Sequence, residues 1–431
     1  MSKINRYNPQ GLEISLLLQG GGALGAYQAG VYQAMHERDL IPHWIVGTSI
    51  GAINAAIIAG NPPALRMDRL REFWERVSHP DWPALGPSLD WFNRINAWSA
   101  VTSAVLHGVP GFFQPSATSL LFTFGAVEPD MAGFYDTRPL LQTLNELIDF
   151  DYLNTSGATR LTVNAMNVRT GQMTSFDSSR QIISADHIRA SGALPPGLPP
   201  VRIDGELYWD GGLYSNTPLS TIFGDVPKRD ALCFMVDLWR AQGSEPINFA
   251  EVSTRQKDVT FASRSERHIQ IYRTIHDLQC RIDQLYAALP KRDRERAKAE
   301  NAAAKGCHNL IQIVDLLYEG SDWHMPAKDL NFSAGSLRWR WEQGYQAAMR
   351  CIERKAWVQP VDGNVGLVVH GMASGIAPKH PDHRVVQPHP EEILESAKAH
   401  AKPHGGIARQ ALQKKPASSR RRPARRVRPT A

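Results

Sequence analysis

The chain has 431 residues, 42% of them hydrophobic, which is enough for one large α/β domain with additions or for two to three smaller ones. Its formal net charge of +6 belongs to one end: residues 401–431 hold ten Lys and Arg and no acid, leaving −4 on residues 1–400. That distribution excludes a basic stripe across the folded part, and no aromatic residue interleaves the terminal charges to stack on bases, so no specific nucleic-acid partner is expected.

LEISLLLQ (12–19) is a continuous apolar run of strand length, stopped by GGG before the alanine-rich segment ALGAYQAGVYQAMHE. WIVG (44–47) repeats the unit and leads through Thr48 and Ser49 into GAINAAIIAG. Two strand-turn-helix units in succession predict a mostly parallel sheet. The stretch 45–60 is interrupted by Thr48, Ser49 and Asn54 and falls short of the ~20 apolar residues of a membrane-spanning helix. The first ten residues carry no secretory cleavage pattern. Residues 91–135 hold Trp91, Phe92, Trp98, Phe112, Phe113, Phe122, Phe124 and Phe134 among Gly and Pro, and read either as a lid over an apolar pocket or as loops completing the core.

RLTVNAMNV and QMTSFDSS flank Arg169, Thr170 and Gly171 and predict a hairpin or a paired edge. ELYWDGG (206–212), ALCFMVDLW (231–239) and NLIQIVDLLY (309–318) predict three further strands, and SLRWRWEQGYQAAMR (336–350) a helix. Between them Ile271, Ile275, Leu278, Ile282, Leu285 and Leu289 recur at alternating intervals of four and three on a helix that Pro290 ends. Such a stripe is expected to pack on the preceding domain or on a helix of the same chain. A dimerising coiled coil is the lesser reading, because fewer than three heptads are present. Cys233, Cys280, Cys307 and Cys351 form no CxxC pair and predict reduced thiols rather than a disulfide frame or a zinc site, hence a cytoplasmic setting. The Pro- and Ser-rich basic tail cannot bury enough surface to fold and is read as a solubilising end or a contact with an anionic membrane.

Three short motifs carry candidate chemistry. GTSIG fits G-x-S-x-G, in which Ser49 occupies a tight strand-to-helix corner, with Gly47 and Gly51 leaving room for the turn. Its hydroxyl would stand at a helix N-terminus, where negative charge is favoured. A serine caught by chance in a glycine-rich turn is the plain alternative. In QGGGALG (19–25) the amides of Gly20, Gly21 and Gly22 can converge on an anion, as an oxyanion hole requires. Gly20, Gly22 and Gly25 also fit the dinucleotide pattern G-x-G-x-x-G. That parse wants an acid at the end of the second strand, where this chain has Gly-Thr-Ser. In WDGG, Asp210 ends a strand before Gly211 and Gly212, as a base or simply as a turn residue.

Together QGGGALGAYQAGV, GTSIG and DGGLYSNTP resemble the glycine-rich oxyanion loop, the nucleophile elbow and the catalytic Asp-Gly-Gly/Ala motif of the patatin-like phospholipases, in that family's order. The likeness covers roughly residues 12–240. Leu24 departs from it, since many members carry a basic residue there. The resemblance implies a three-layer α/β/α sandwich with a mostly parallel central sheet and a helical C-terminal extension. It implies a lead at 1–11, a catalytic domain at 12–245, an extension packing on it at 246–358, and a linker and tail at 359–431. It also implies a Ser-Asp dyad, with Ser49 the nucleophile and Asp210 the base, no intervening histidine, and neither metal nor cofactor. The expected activity is hydrolysis of lipid carboxylic esters. Transacylation by the same dyad and non-catalytic lipid binding are the alternatives. The expected place of action is the cytoplasm, reaching the inner membrane surface through the tail. Oligomeric state is left open.

Overall fold

The computed structural model describes residues 5–371 apart from 82–89, 117–124, 126, 156, 226–228, 263–264, 295–308, 320–326, 360 and 362–364. The basic tail, Cys307, Phe122 and Phe124 lie outside the described residues, as do the side chains of Trp91 and Phe92. In chain order the strands are β1 (Glu13–Leu18), β2 (Trp44–Thr48), β3 (Gln114–Pro115), β4 (Tyr135–Asp136), β5 (Arg160–Asn167), β6 (Met173–Asp177), β7 (Val201–Ile203), β8 (Glu206–Asp210), β9 (Ala231–Asp237), β10 (Ile311–Leu317) and β11 (Leu367–Gly371). The α-helices are α1 (Ala26–His36), α2 (Ile50–Ala59), α3 (Arg66–Arg76), α4 (Asp90–His107), α5 (Arg138–Leu147), α6 (Phe150–Leu153), α7 (Ala185–Ser191), α8 (Leu219–Phe223), α9 (Phe249–Phe261), α10 (Ser265–Ala288) and α11 (Ala334–Arg354).

One sheet runs β11-β10-β9-β1-β2-β5-β8-β7, with β6 also on β5. Pairings from β11 to β5 are parallel, and β6, β7 and β8 join antiparallel. Because side chains alternate across a strand, β1 feeds two cores. Leu16 and Leu18 pack with Tyr27, Tyr32 and Ile53 on one face. Leu17 packs with Val46, Met235, Ile313, Leu219 and Tyr272 on the other. The result is a three-layer α/β/α sandwich with a mostly parallel sheet, and it explains why the central strands read as unbroken apolar runs.

Helix α11 crosses α1 at backbone contact: a Cβ on Gly30 would lie 1.9 Å from the Trp341 carbonyl oxygen, and one on Gly344 2.0 Å from that of Tyr27. Trp341 Nε1 donates to Gln33 Oε1 at 2.7 Å, locking the pair of helices. Strands β10 and β11 extend the sheet beyond β9, so residues 367–371, read from sequence within a linker, are an edge strand.

Two further expectations are corrected. Cys280 is disulfide-bonded, so the four thiols are not all reduced. Sequence spacing says nothing about cysteines that the fold brings together. Among the described residues the stripe Ile271, Ile275, Leu278, Ile282, Leu285 and Leu289 packs on no other element: all six are exposed, and α10 docks instead through Ile269 and Tyr272. Among the described residues no helix is long and apolar enough to cross a membrane.

Candidate active site

The register of β5 explains how two distant motifs meet. Asn164 pairs with Thr48 at the end of β2, and the next residue, Ala165, pairs with Asp210 at the end of β8. Ser49 follows Thr48 directly, so both strands deliver their motif to the same point on the sheet's edge.

Ser49 adopts φ 57° and ψ −126° as the N-cap of α2. A positive φ on a non-glycine residue costs roughly 1–3 kcal/mol and persists only where its surroundings over-determine it. Here they do. The Ser49 amide donates to Ser191 Oγ at 3.0 Å, and Ser191 Oγ donates onward to the Asn164 carbonyl at 2.7 Å. A Cβ on Gly47 would stand 2.4 Å from the Gly51 carbonyl oxygen, and one on Gly51 2.2 Å from that of Leu18. The turn therefore closes only with glycine at both positions. Gly25 leaves space for Ile50 in the same way, and Gly211 for the Asn164 carbonyl.

Asp210 is buried. Its own amide donates to the Ala193 carbonyl at 2.9 Å, and its Oδ1 accepts from the Gly212 amide at 2.7 Å. Burial pushes its carboxyl up to about 6, against hydrogen bonds from the Ser49 side chain and the Gly212 amide, which favour the charged form. A carboxylate so placed is a stronger base than one in water, and the hydroxyl beside it is that of Ser49.

Gly20, Gly21, Gly22, Ser49, Asp210 and Gly212 border one cavity of about 310 Å³. Its remaining wall is chiefly apolar, including Phe112, Phe113, Leu194, Leu198, Phe261 and Phe332. Of the aromatic segment 91–135, Phe112, Phe113 and Tyr135 reach this wall, while Trp98 and Phe134 are exposed. Gly22 has φ +55°, and a Cβ there would meet the Asp329 carbonyl oxygen at 2.3 Å.

The glycine loop differs from expectation at one amide. Gly20 N–H donates to Asn216 Oδ1 at 3.1 Å, and Asn216 Nδ2 donates back to the Gly20 carbonyl at 3.1 Å and to the Phe261 carbonyl at 2.9 Å. Trp239 Nε1 also donates to the Gly20 carbonyl, at 2.8 Å. Gly20 is thus an anchored residue with its donor already engaged. Sequence reasoning missed Asn216, Ser191 and Trp239. Only the placing of Asn216 in SNTP, just past the Asp-Gly-Gly turn, hinted at a role. At the cavity's edge Lys257 on α9 pairs with Asp329 at 2.8 Å, and Lys328 pairs with Asp258 at 2.7 Å.

The family model described as patatin-like phospholipase matches residues 16–222, and a second, described as patatin phospholipase, matches residues 259–364. Patatin-like phospholipase domain-containing protein 6 of Mus musculus is 26% identical over 208 residues, 48% of this chain and 12% of that protein. An uncharacterised NTE family protein of Mycobacterium tuberculosis is 26% identical over 231 residues, 53% of this chain and 31% of that protein. The chain therefore spans about an eighth of the mouse relative's length. Among solved structures, VipD from Legionella pneumophila aligns over 80% of this chain and 67% of its own, at 16% identity and a TM-score of 0.33.

Proposed function

The chain belongs to the patatin-like phospholipase family, and from that premise we propose that it is a serine acyl hydrolase, cleaving carboxylic esters of lipids through Ser49 and Asp210. The observation that carries the reading is a serine on a strained corner beside a buried carboxyl pushed up to about 6, both bordering an apolar cavity.

In the first half-reaction Ser49 Oγ attacks the ester carbonyl carbon while its proton passes to the Asp210 carboxylate. The oxygen that becomes negative would be met by the amides of Gly21 and Gly22, with the N-terminal end of α2 adding favourable potential. Collapse breaks the bond to the alcohol, which leaves with the proton from Asp210, and the acyl group stays on Ser49. Water then attacks the acyl-serine as Asp210 takes its proton; collapse breaks the bond between the acyl carbon and Ser49 Oγ, Oγ recovers the proton from Asp210, and the fatty acid leaves. The apolar wall suits an acyl chain.

Contact with a lipid surface is supported by an inversion in α9. Its charged Lys257 and Asp258 face the body in ion pairs, whereas Phe249, Val252 and Val259, with Ile247 just before the helix, are exposed. An apolar outer face on a helix whose inner side borders the cavity is suited to resting on lipid.

Hydrolysis of short- and long-chain p-nitrophenyl esters by the native chain, Ser49→Ala and Asp210→Asn tests the reading. Loss of about 10³-fold or more in both variants is expected. Equal rates in all three would remove this site from consideration.

A further inference from the structure

The exposed stripe on α10 has the periodicity of a helix seam rather than of a solvated face. The spacing places Ile275, Ile282 and Leu289 at a positions of a heptad and Ile271, Leu278 and Leu285 at d. Every one of them is between 39 and 70% exposed. Ile at a with Leu at d, as in Ile275–Leu278 and Ile282–Leu285, is the distribution that favours two strands, and the pattern is reversed only at the ends, Ile271 and Leu289. The flanking e and g positions hold Tyr272, Thr274, Gln279, Arg281, Tyr286 and Ala288, so no row of like charges opposes pairing.

The geometry leaves the seam accessible. Helix α10 is held to the body by Ile269 and Tyr272, with Tyr272 stacked on Phe223 at a centroid distance of 4.0 Å. From Arg281 to Pro290 every described side chain except that of Tyr286 is exposed.

We infer that α10 pairs with α10 of a second copy of this chain, burying the six-residue stripe as a short two-stranded coiled coil. Six half-exposed Ile and Leu side chains offer roughly 500 Å² of apolar surface per copy, about 1,000 Å² for the pair, which reaches the lower bound of a specific interface. Fewer than three heptads would not hold two free helices together. This helix is already formed and anchored, so the cost of ordering it falls on folding rather than on association. The same surface left in water would be an aggregation hazard on a soluble domain.

The test is mass measurement of the full chain by light scattering after gel filtration at about 50 µM, high enough for mass action to populate a weak dimer. The native chain should show twice 47.9 kDa. Ile275→Lys/Ile282→Lys should run as a monomer with unchanged turnover of a soluble ester and an unchanged circular dichroism spectrum. Leu278→Lys/Leu285→Lys is the second disrupting pair, should the first disturb the helix, and Arg273→Glu, outside the seam, should remain dimeric. A monomeric native chain, or dimers that survive both seam variants, would overturn the inference.

Discussion

Asn216 and Gly20 exchange two hydrogen bonds, each 3.1 Å long, amide to Oδ1 and Nδ2 to carbonyl. The side chain acts as a strand partner for one residue and pins the first glycine of the loop beside Ser49, with Gly21 and Gly22 bordering the same cavity. We expect Asn216→Ala to lower kcat about 10- to 100-fold with a smaller change in KM, because loop placement matters most when charge develops. Steady-state kinetics on a soluble ester checks this. Native kcat in a folded Asn216→Ala chain would show that the loop holds itself.

The buried carboxyl fixes the direction of the pH dependence. A base must be unprotonated, and Asp210, raised to about 6, holds its proton below that pH. The kcat/KM of the native chain should rise with pH through an apparent pKa near 6 and level off above it. Activity holding steady down to about pH 4, near an unperturbed carboxylate, would argue against Asp210 as base.

Stability should run the opposite way. The folded pKa of Asp210 exceeds the unfolded value of 3.8, so between about 4 and 6 the folded chain binds more protons, and stability falls as pH rises through that window. Asp210→Asn removes the cost of burying a charge at neutral pH. The inactive variant should melt higher than the native chain, by up to about 3 kcal/mol in unfolding free energy. Calorimetry at neutral pH reads this, and a lower Tm would contradict it.

Strain at Ser49 makes a separate prediction. At φ 57° and ψ −126° any residue with a Cβ is disfavoured, and glycine is not. Ser49→Gly and Ser49→Ala should both be inactive, with the glycine variant more stable by about 1 kcal/mol. Equal stability in chemical denaturation would mean that the corner carries no strain.

For the lipid surface, Phe249→Ser with Ile247→Ser should weaken binding to neutral vesicles while leaving turnover of a soluble ester intact. Removal of the residues after about 400 should weaken binding to anionic vesicles in low salt and leave neutral ones unaffected. Vesicle flotation separates the two, and unchanged binding in both variants would assign the contact elsewhere.

Much of the sheet was legible because its strands are buried on both faces and so spell unbroken apolar runs, as β1, β9 and β10 do. The three glycine-bearing turns were legible because a backbone packed against Gly47 or Gly51 tolerates no other residue. What was hidden is long-range register. Nothing in RLTVNAMN says that Asn164 and Ala165 pair with two different strands, nor that Asn216 reaches back to Gly20. The seam on α10 was visible as periodicity, but its exposure was not, because spacing identifies an apolar face and not what covers it. Residues 367–371 were passed over as linker: GLVVHG is short, and only an open edge on β10 makes it a strand.

The nucleophile itself can be tested most directly with a fluorophosphonate, which phosphonylates only an activated serine. The native chain should take up one label, located at Ser49 by peptide mass analysis, with Ser49→Ala unlabelled and Asp210→Asn labelled far more slowly. Labelling of Ser49→Ala at the native rate, or none of the native chain, would contradict the account.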